Sequence, residues 1–278
     1  MNIIISGING FLGRHLNKYF GKDHHLIGID VEDGFLDGTK VYSSKHVNKI
    51  QTSIDYIILC HAAVASGTHT IPNELLFEVN IGVTETILEQ FKNTPTTYIS
   101  TASIYDHRYT ITENTQIFPN NSYSISKYWA EHLVLSKPKT NAVRLSSLYG
   151  ISMKENTLIP NYVNQAIRDK VIKVWGDGSR LQNYVHLTEV AQIIELIIKK
   201  RSPTYGKIFL GVAKKEYSNL EIASIIASEC DSKITFVNQD FSPSISYNNT
   251  KTQKILGWQP SHILKKELKT YIAWKLKK

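Results

Sequence analysis

A phenol and an ammonium stand four residues apart in Tyr123-Ser124-Ile125-Ser126-Lys127, a spacing that puts both on one face of a helix. A tyrosine serves as a base near neutral pH only if its pKa falls by about three units, roughly 4 kcal/mol of differential stabilisation. An ammonium at a surface does not supply that much. A partly desolvated Lys127 acting together with a bound cation does, because nearby charge counts most in a low dielectric. Taken alone, the spacing recurs in many amphipathic helices. Upstream, Thr101 and Ser103 lie in Tyr98-Ile99-Ser100-Thr101-Ala102-Ser103-Ile104-Tyr105. Hydroxyls at a strand's carboxyl end either bond loop backbone or face a ligand, since open α/β sheets bind ligands beyond those ends.

A second constellation opens the chain. Gly7-Ile8-Asn9-Gly10-Phe11-Leu12-Gly13 joins the Ile-rich Asn2 to Ser6 to an amphipathic stretch. Glycines there permit a tight turn and close backbone approach, and the first N–H groups of the following helix can hold a pyrophosphate. Asp30 follows the next apolar run, 20 residues after Gly10. A carboxylate there accepts bonds from adenosine ribose hydroxyls and repels a 2′-phosphate. Val31, Glu32 and Asp33 add acids and no arginine, so NAD is expected over NADP; the alternative for Asp30 is a turn cap beside Gly34 and Gly38. The ten histidines show no metal spacing: His24 and His25 are adjacent and His-x-x-x-His does not occur, so no metal is expected.

These residues need a scaffold. Through the first 150 residues, apolar β-branched runs alternate with amphipathic stretches, the pattern of a parallel sheet with crossover helices. Strands are expected at Asn2 to Ser6, Leu26 to Asp30, Tyr56 to Cys60, Thr97 to Ser100 and Asn141 to Leu145. Helices are expected at Phe11 to Phe20, Leu75 to Phe91 and Tyr123 to Ser136, the last with Asn120, Asn121 and Ser122 as candidate caps. The expected fold class is α/β: a Rossmann-type doubly wound parallel sheet over 1–150, and a small C-terminal α/β substrate-binding lobe over 151–278. That lobe begins with a helix at Leu158 to Asp169, a strand at Val171 to Trp175 and the turn Gly176-Asp177-Gly178-Ser179. Strands around 183–213, at Tyr184 to His186 and Lys207 to Gly211, are expected to return to the first sheet.

Composition removes several function classes. Hydrophobic residues make up 42% and charged residues 20%, which argues against disorder and low complexity. The longest nearly apolar run, Tyr56 to Ala65, is about half of what a bilayer requires and contains His61, so no membrane span is expected. Met1 to Ser6 has no basic leader and no cleavage site, which together with two widely separated cysteines, Cys60 and Cys230, points to a reduced cytoplasmic setting. The net charge of +8 owes much to Lys265, Lys266, Lys269, Lys275, Lys277 and Lys278, which read as a solvated helix face. No interleaving of arginine with aromatics supports a nucleic-acid reader.

With the strand end at 98–105 and its neighbours, the sequence resembles the extended short-chain dehydrogenase/reductase family, in particular its sugar-nucleotide epimerase and dehydratase group. The resemblance spans nearly the whole chain. It takes in the glycine loop, Asp30, His61-Ala62-Ala63, Asn80, Tyr123 with Lys127, and Arg144-Leu145-Ser146-Ser147-Leu148-Tyr149-Gly150. It continues through Gly176-Asp177-Gly178-Ser179, Tyr184-Val185-His186-Leu187 and Lys254-Ile255-Leu256-Gly257-Trp258-Gln259-Pro260.

The resemblance implies roles. Thr101 hydrogen-bonds the sugar oxygen being oxidised, Tyr123 is the base, and Lys127 holds the nicotinamide ribose while tuning that base. Gly7, Gly10, Phe11, Leu12, Gly13, Asp30, His61, Ala62, Ala63 and Asn80 would surround NAD. Ser103 and Ser147 would touch substrate. Gln182 stands where relatives carry an arginine for the nucleotide diphosphate, with Arg180 as its expected substitute. Ala102-Ser103 replaces the Asp-Glu pair that dehydratases carry after the threonine, which disfavours dehydration. Ser43-Ser44-Lys45-His46 stands where an Asp-x-x-Asp adenine contact is usual. The resulting expectation is a cytoplasmic NAD-dependent nucleotide-sugar epimerase. A 4-keto reductase using NAD(P)H is the alternative, and a non-catalytic NAD-sensing member of the fold the remaining one. The expected partner is a nucleotide-linked sugar, without nucleic acid or membrane, and a homodimer is compatible with the reading.

Overall fold

Ile3, Ile4 and Ile5 have no solvent exposure, so the strand β1 (Asn2–Ser6) must be covered on both faces, as in a parallel sheet. A computed structural model describes residues 1–64, 71–105 and 110–277, leaving Ala65 and Lys278 of the runs named above outside the described residues. Helix α1 (Phe11–Phe20) follows β1 and buries Leu12, Leu16 and Phe20. Next come β2 (His25–Asp30), β3 (Gly34–Leu36), β4 (Thr39–Ser43) and β5 (Tyr56–Leu59). The helix expected over 75–91 is divided into α2 (Asn73–Phe77), a π-helical turn at Glu78–Gly82, and α3 (Val83–Gln90). Such turns accompany functional sites. This one carries Asn80, fully buried.

Strand β6 (Thr96–Thr101) leads to α4 (Ser122–Leu135), which starts with a capping box. Asn121 accepts the Ser124 backbone N–H at 2.9 Å, and the Ser124 hydroxyl accepts the Asn121 N–H at 3.2 Å. This start fixes Tyr123 in the first turn and Lys127 one turn on. The chain continues through β7 (Thr140–Leu145), β8 (Ser147–Tyr149), α5 (Leu158–Arg168), β9 (Val171–Trp175), β10 (Leu181–His186) and α6 (Leu187–Lys200). It ends with β11 (Ile208–Gly211), β12 (Glu216–Ser218), α7 (Asn219–Cys230), β13 (Lys233–Val237), α8 (Thr250–Leu256) and α9 (Leu264–Lys275).

Among the described residues, eight strands form the main sheet in the order β11-β7-β6-β5-β1-β2-β4-β3, parallel except where β3 meets β4. Helices α1 and α6 cover one face around Leu16, Ile193 and Phe209, and α3 and α4 cover the other around Ile57, Ile87 and Val134. The strand at Ile208–Gly211 does join this sheet, beside β7. The expected return of Tyr184 to His186 is corrected: β10 pairs with β8 and β12 in a separate sheet. Its partners there are two short strands with little apolar signal of their own. A further pair, β9 with β13, packs with α5, α7 and α9 around Ile172, Val163 and Leu268. Phe11 touches both this core and the one under α1, so the first turn of α1 sits where the two meet. Among the described residues no helix is long and apolar enough to cross a membrane.

Candidate active site

A cavity of about 450 Å³ opens beyond the carboxyl ends of the main-sheet strands, within the size range of small-ligand sites. Gly7, Gly10, Phe11, Leu12, Gly13, Asp30, His61 and Ala62 line it, together with Thr101, Tyr123, Lys127 and Ser146. Gly7 has φ +69°, and a Cβ there would fall 2.6 Å from the His61 Cα. A Cβ on Gly13 would fall 2.1 Å from the Gly7 carbonyl, so both positions exclude larger residues for packing reasons. Gly10 differs: its Cβ would meet the Gly7 carbonyl at 3.0 Å and otherwise project into open space. Gly10 caps α1 without any side-chain bond to the first-turn N–H groups. Those dipoles suit a phosphate. Asp30 fastens this loop, its carboxylate accepting the Asn9 and Val31 N–H groups at 2.8 and 2.9 Å. Asp33 is turned to the Ser43 N–H and to His46 at 2.6 Å, while Ser44 reaches the cavity beside Asp30. These residues fit a dinucleotide with its pyrophosphate at α1 and its adenosine towards Asp30.

His61 has a definable tautomer. The Thr84 hydroxyl donates to the Asn80 carbonyl at 2.9 Å, so it accepts from His61 Nε2–H at 3.0 Å. Nδ1 then accepts from the Ser6 hydroxyl at 2.6 Å. Burial pushes this imidazole down to about 3, with Lys127 adding to the effect, so His61 is a neutral wall of the site.

Thr101, Tyr123 and Lys127 converge at the sheet's carboxyl end for different local reasons. Thr101 ends β6 and caps a short 3-10 turn, accepting the Ser103 N–H at 3.1 Å, with the two hydroxyls 3.0 Å apart. Ser103 is thereby drawn to Thr101 and does not line the cavity. Lys127 donates to the Ile99 carbonyl at 2.7 Å and lies 4.2 Å over the Tyr98 ring. Burial brings its ammonium down to about 7, against the opposing pull of Cys60 and Glu131. Burial pushes the Tyr123 phenol up to about 12, partly offset by its hydrogen bond with Thr101. The protein without cofactor therefore holds Tyr123 as a phenol, and the depressed pKa that a base requires must come from added positive charge.

The structure places several of the expected contacts outside the cavity lining. Asn80 and Ala63 stand behind the wall: Asn80 Oδ1 accepts the Ala63 N–H at 2.8 Å, and its Nδ2 donates to the Ser126 hydroxyl at 2.9 Å. Asn80 thus braces the end of β5 against α4. Ser147 is exposed in β8, and it is the preceding Ser146 that lines the cavity, bonded to Asn183 at 2.8 Å. Alternation along an extended chain sends neighbouring side chains to opposite sides. Gln182 donates to Asn219 at 2.6 Å. Arg180 reaches the Pro243 carbonyl at 3.3 Å, with Asp240 4.0 Å away, and neither Arg180 nor Gln182 lines the cavity. The segment around 240–243, unread in the sequence, captures the arginine. Met153, Lys154 and Thr157 line the cavity and were missed, although the rule that ligands bind beyond strand ends covers the segment after β8.

Among the described residues one group holds metal-capable donors, His186, His262 and Glu267. The two imidazole rings are stacked 4.2 Å apart at 17°, so their in-plane lone pairs lie in separate, nearly parallel planes, and none of the three lines the cavity.

The architecture is that of a Rossmann-type dinucleotide-binding protein with a reactive centre at its strand ends. The match extends further: the model of the NAD dependent epimerase/dehydratase family covers residues 3–211, and the chain belongs to that family. NAD is accordingly its cofactor. A trifunctional UDP-glucose 4,6-dehydratase/UDP-4-keto-6-deoxy-D-glucose 3,5-epimerase/UDP-4-keto-L-rhamnose-reductase of Arabidopsis thaliana is 25% identical over 98% of this chain. The chain spans about half the length of that relative, 46%. A UDP-glucuronic acid 4-epimerase from Bacillus cereus, solved with NAD, superposes with a TM-score of 0.86 at 20% identity, all of each chain being covered. A dTDP-glucose 4,6-dehydratase from Bacillus anthracis, also with NAD, gives 0.84 at 20% identity over 100% of this chain and 97% of that one.

The position of Asp30 yields a first expected result. NAD(H) binds more tightly than NADP(H), by tenfold or more, about 1.4 kcal/mol. Asp30→Asn, which keeps an acceptor for the Asn9 N–H, narrows the gap. Calorimetric titration of both cofactors checks this, and a wild-type preference for NADP(H) would refute it.

Proposed function

We propose that this chain is an NAD-dependent nucleotide-sugar epimerase that works by transient oxidation at the sugar C4. The observation that carries the reading is the composition of the cavity. Thr101, Tyr123 and Lys127 share it with the glycine loop, while among its described lining residues Asp30 is the one carboxylate, at the adenosine end. Dehydration requires a further acid and base to remove a C5 proton and expel a C6 hydroxyl. Ala102 and Ser103 offer neither beside Thr101.

In this reading NAD, when bound, supplies the hydride acceptor and a positive charge. Thr101 Oγ1 orients the C4 oxygen, and Tyr123 Oη takes the C4 hydroxyl proton as the 4-keto sugar forms. Lys127 Nζ, fixed on the Ile99 carbonyl, would hold the nicotinamide ribose and favour the phenolate. On return, Tyr123 gives the proton back to the inverted C4 oxygen. Chains of this family that act on UDP- or dTDP-linked sugars indicate the substrate class, a hexose on a nucleoside diphosphate.

The test follows the hydride. With a panel of uridine- and thymidine-linked hexoses, C4 configuration read by proton NMR inverts without net change in reduced cofactor, and added deuterated NADH leaves no label in product. Deuterium in the product with stoichiometric loss of NADH would replace the epimerase with a 4-keto reductase.

A further inference from the structure

The catalytic face of α4 does not end at Lys127. One turn further on, Glu131 occupies the same face and is 1% exposed. Its two carboxylate oxygens accept from Arg144, Nε at 3.0 Å and Nη2 closer still, in a bidentate pair. Arg144 is 2% exposed, donates its remaining Nη1 to the Tyr105 hydroxyl, and lies with its guanidinium 4.7 Å from the Tyr105 ring centroid. None of the three lines the cavity. What they join is informative. Arg144 is in register with Ser100, and the next pair in that ladder is Leu145 with Thr101. Tyr105 closes the short turn that Thr101 caps, its N–H bonding to the Ala102 carbonyl at 3.2 Å.

We propose that Glu131, Arg144 and Tyr105 are positioning residues for the reaction, a buried bridge that locks the helix bearing Tyr123 and Lys127 to the strand end bearing Thr101. The inference rests on the roles given to those three residues above. A buried ion pair gains little net stability over apolar residues of the same volume, because both charges must leave water. Retaining one here in place of leucine or methionine is therefore better explained by orientation than by stability. A bidentate guanidinium fixes distance and angle together, which apolar packing does not.

The bridge also has an electrostatic reach. The groups facing Lys127 are the Cys60 thiol just after β5, the Ile99 carbonyl and Tyr98 ring on β6, neutral His61, and Glu131 on α4. Of these, Glu131 is the one carboxylate, and its charge favours the ammonium form.

The test uses full-length protein labelled with ¹³C-lysine, the Lys127 signal being assigned by its absence in Lys127→Met. Glu131→Gln leaves Arg144 unpaired and can cost the fold, so the double variant Glu131→Leu/Arg144→Met, which removes both charges, is measured beside it. Where Glu131→Gln folds, loss of the carboxylate alone lowers the Lys127 titration midpoint; in the double variant, which removes both members of a neutral pair, the readout is the Lys127 ¹³Cε signal, set by the Tyr98 ring beneath it, which shifts as α4 loosens against β6. With the identified substrate, kcat falls about tenfold while KM changes less than about twofold. Restoring carboxylate and guanidinium as Glu131→Asp with Arg144 intact recovers the titration midpoint. An unchanged Lys127 ¹³Cε signal in the folded double variant would overturn the proposal and leave the bridge merely structural. The NMR readout needs no substrate, so it stands or falls separately from the epimerase assignment.

Discussion

Tyr123→Phe lowers turnover by about 10² to 10⁴, the usual contribution of a positioned acid–base group, while NAD affinity changes little. The substitution removes one oxygen from a side chain in the first turn of α4 and leaves the ring to pack as before. It takes from Thr101 one bond partner and leaves the other, since Thr101 remains bonded to the Ser103 N–H and hydroxyl. The capping box of Asn121 and Ser124 is untouched. The loss therefore falls on kcat with KM nearly constant, the pattern of an interaction made chiefly in the transition state. Because burial holds the unliganded phenol up at about 12, proton uptake depends on the charge of the bound cofactor and of Lys127. The wild-type rate should then rise with pH as the phenolate becomes accessible, and the residual rate of Tyr123→Phe should lack that limb. Steady-state kinetics across pH with calorimetric NAD titration measures both; a fully active Tyr123→Phe would end the proposed mechanism.

Much of this site is readable from local chemistry, and the residues that lie outside the cavity share a reason. The strand at Asn2–Ser6 and the helix at Phe11–Phe20 begin and end where periodicity places them, because one is covered on both faces and the other is punctuated by Gly10 and Gly21. Thr101, Tyr123, Lys127 and Asp30 reach one cavity because each sits at a strand end or in the first turns of a helix, positions that pattern can locate. Asn80 was assigned to the cofactor, yet a π-helical turn directs it to Ala63 and Ser126, and no residue type marks such a turn in advance. The roles expected of Arg180 and Gln182 come from the family resemblance, which is blind to Asp240, Pro243 and Asn219, lying far along the chain and holding them. Glu131 and Arg144 fall in the same class: helical spacing aligns Glu131 with Lys127, but only the register of β7 against β6 brings the arginine to it.

Lys127→Met gives a protein that is inactive and yet more stable, with a pH signature that identifies the cause. The side chain is 2% exposed, and burial lowers its pKa from 10.5 to about 7. Below pH 7 both folded and unfolded chains carry the ammonium, and the folded one bears the whole cost of burying it. Between about pH 7 and 10.5 the folded chain releases the proton while the unfolded chain keeps it, so stability at this site increases as pH rises. Methionine has nearly the same length and no charge, so the variant's advantage is greatest at low pH and shrinks above neutrality. Against this stand the lost bond to the Ile99 carbonyl and the lost contact with the Tyr98 ring, each worth about 1 kcal/mol. From about pH 6 to about pH 9 the wild type should gain roughly 3 kcal/mol on the variant, the other titrating groups being common to both. Turnover should be lost and NAD affinity reduced together, since the ammonium is assigned to the ribose as well as to the phenol. Urea denaturation of both proteins at the two pH values reads the stability difference directly. A gap that stayed constant with pH would mean that Lys127 is not a buried titrating cation, and the tuning of Tyr123 would have to come from elsewhere.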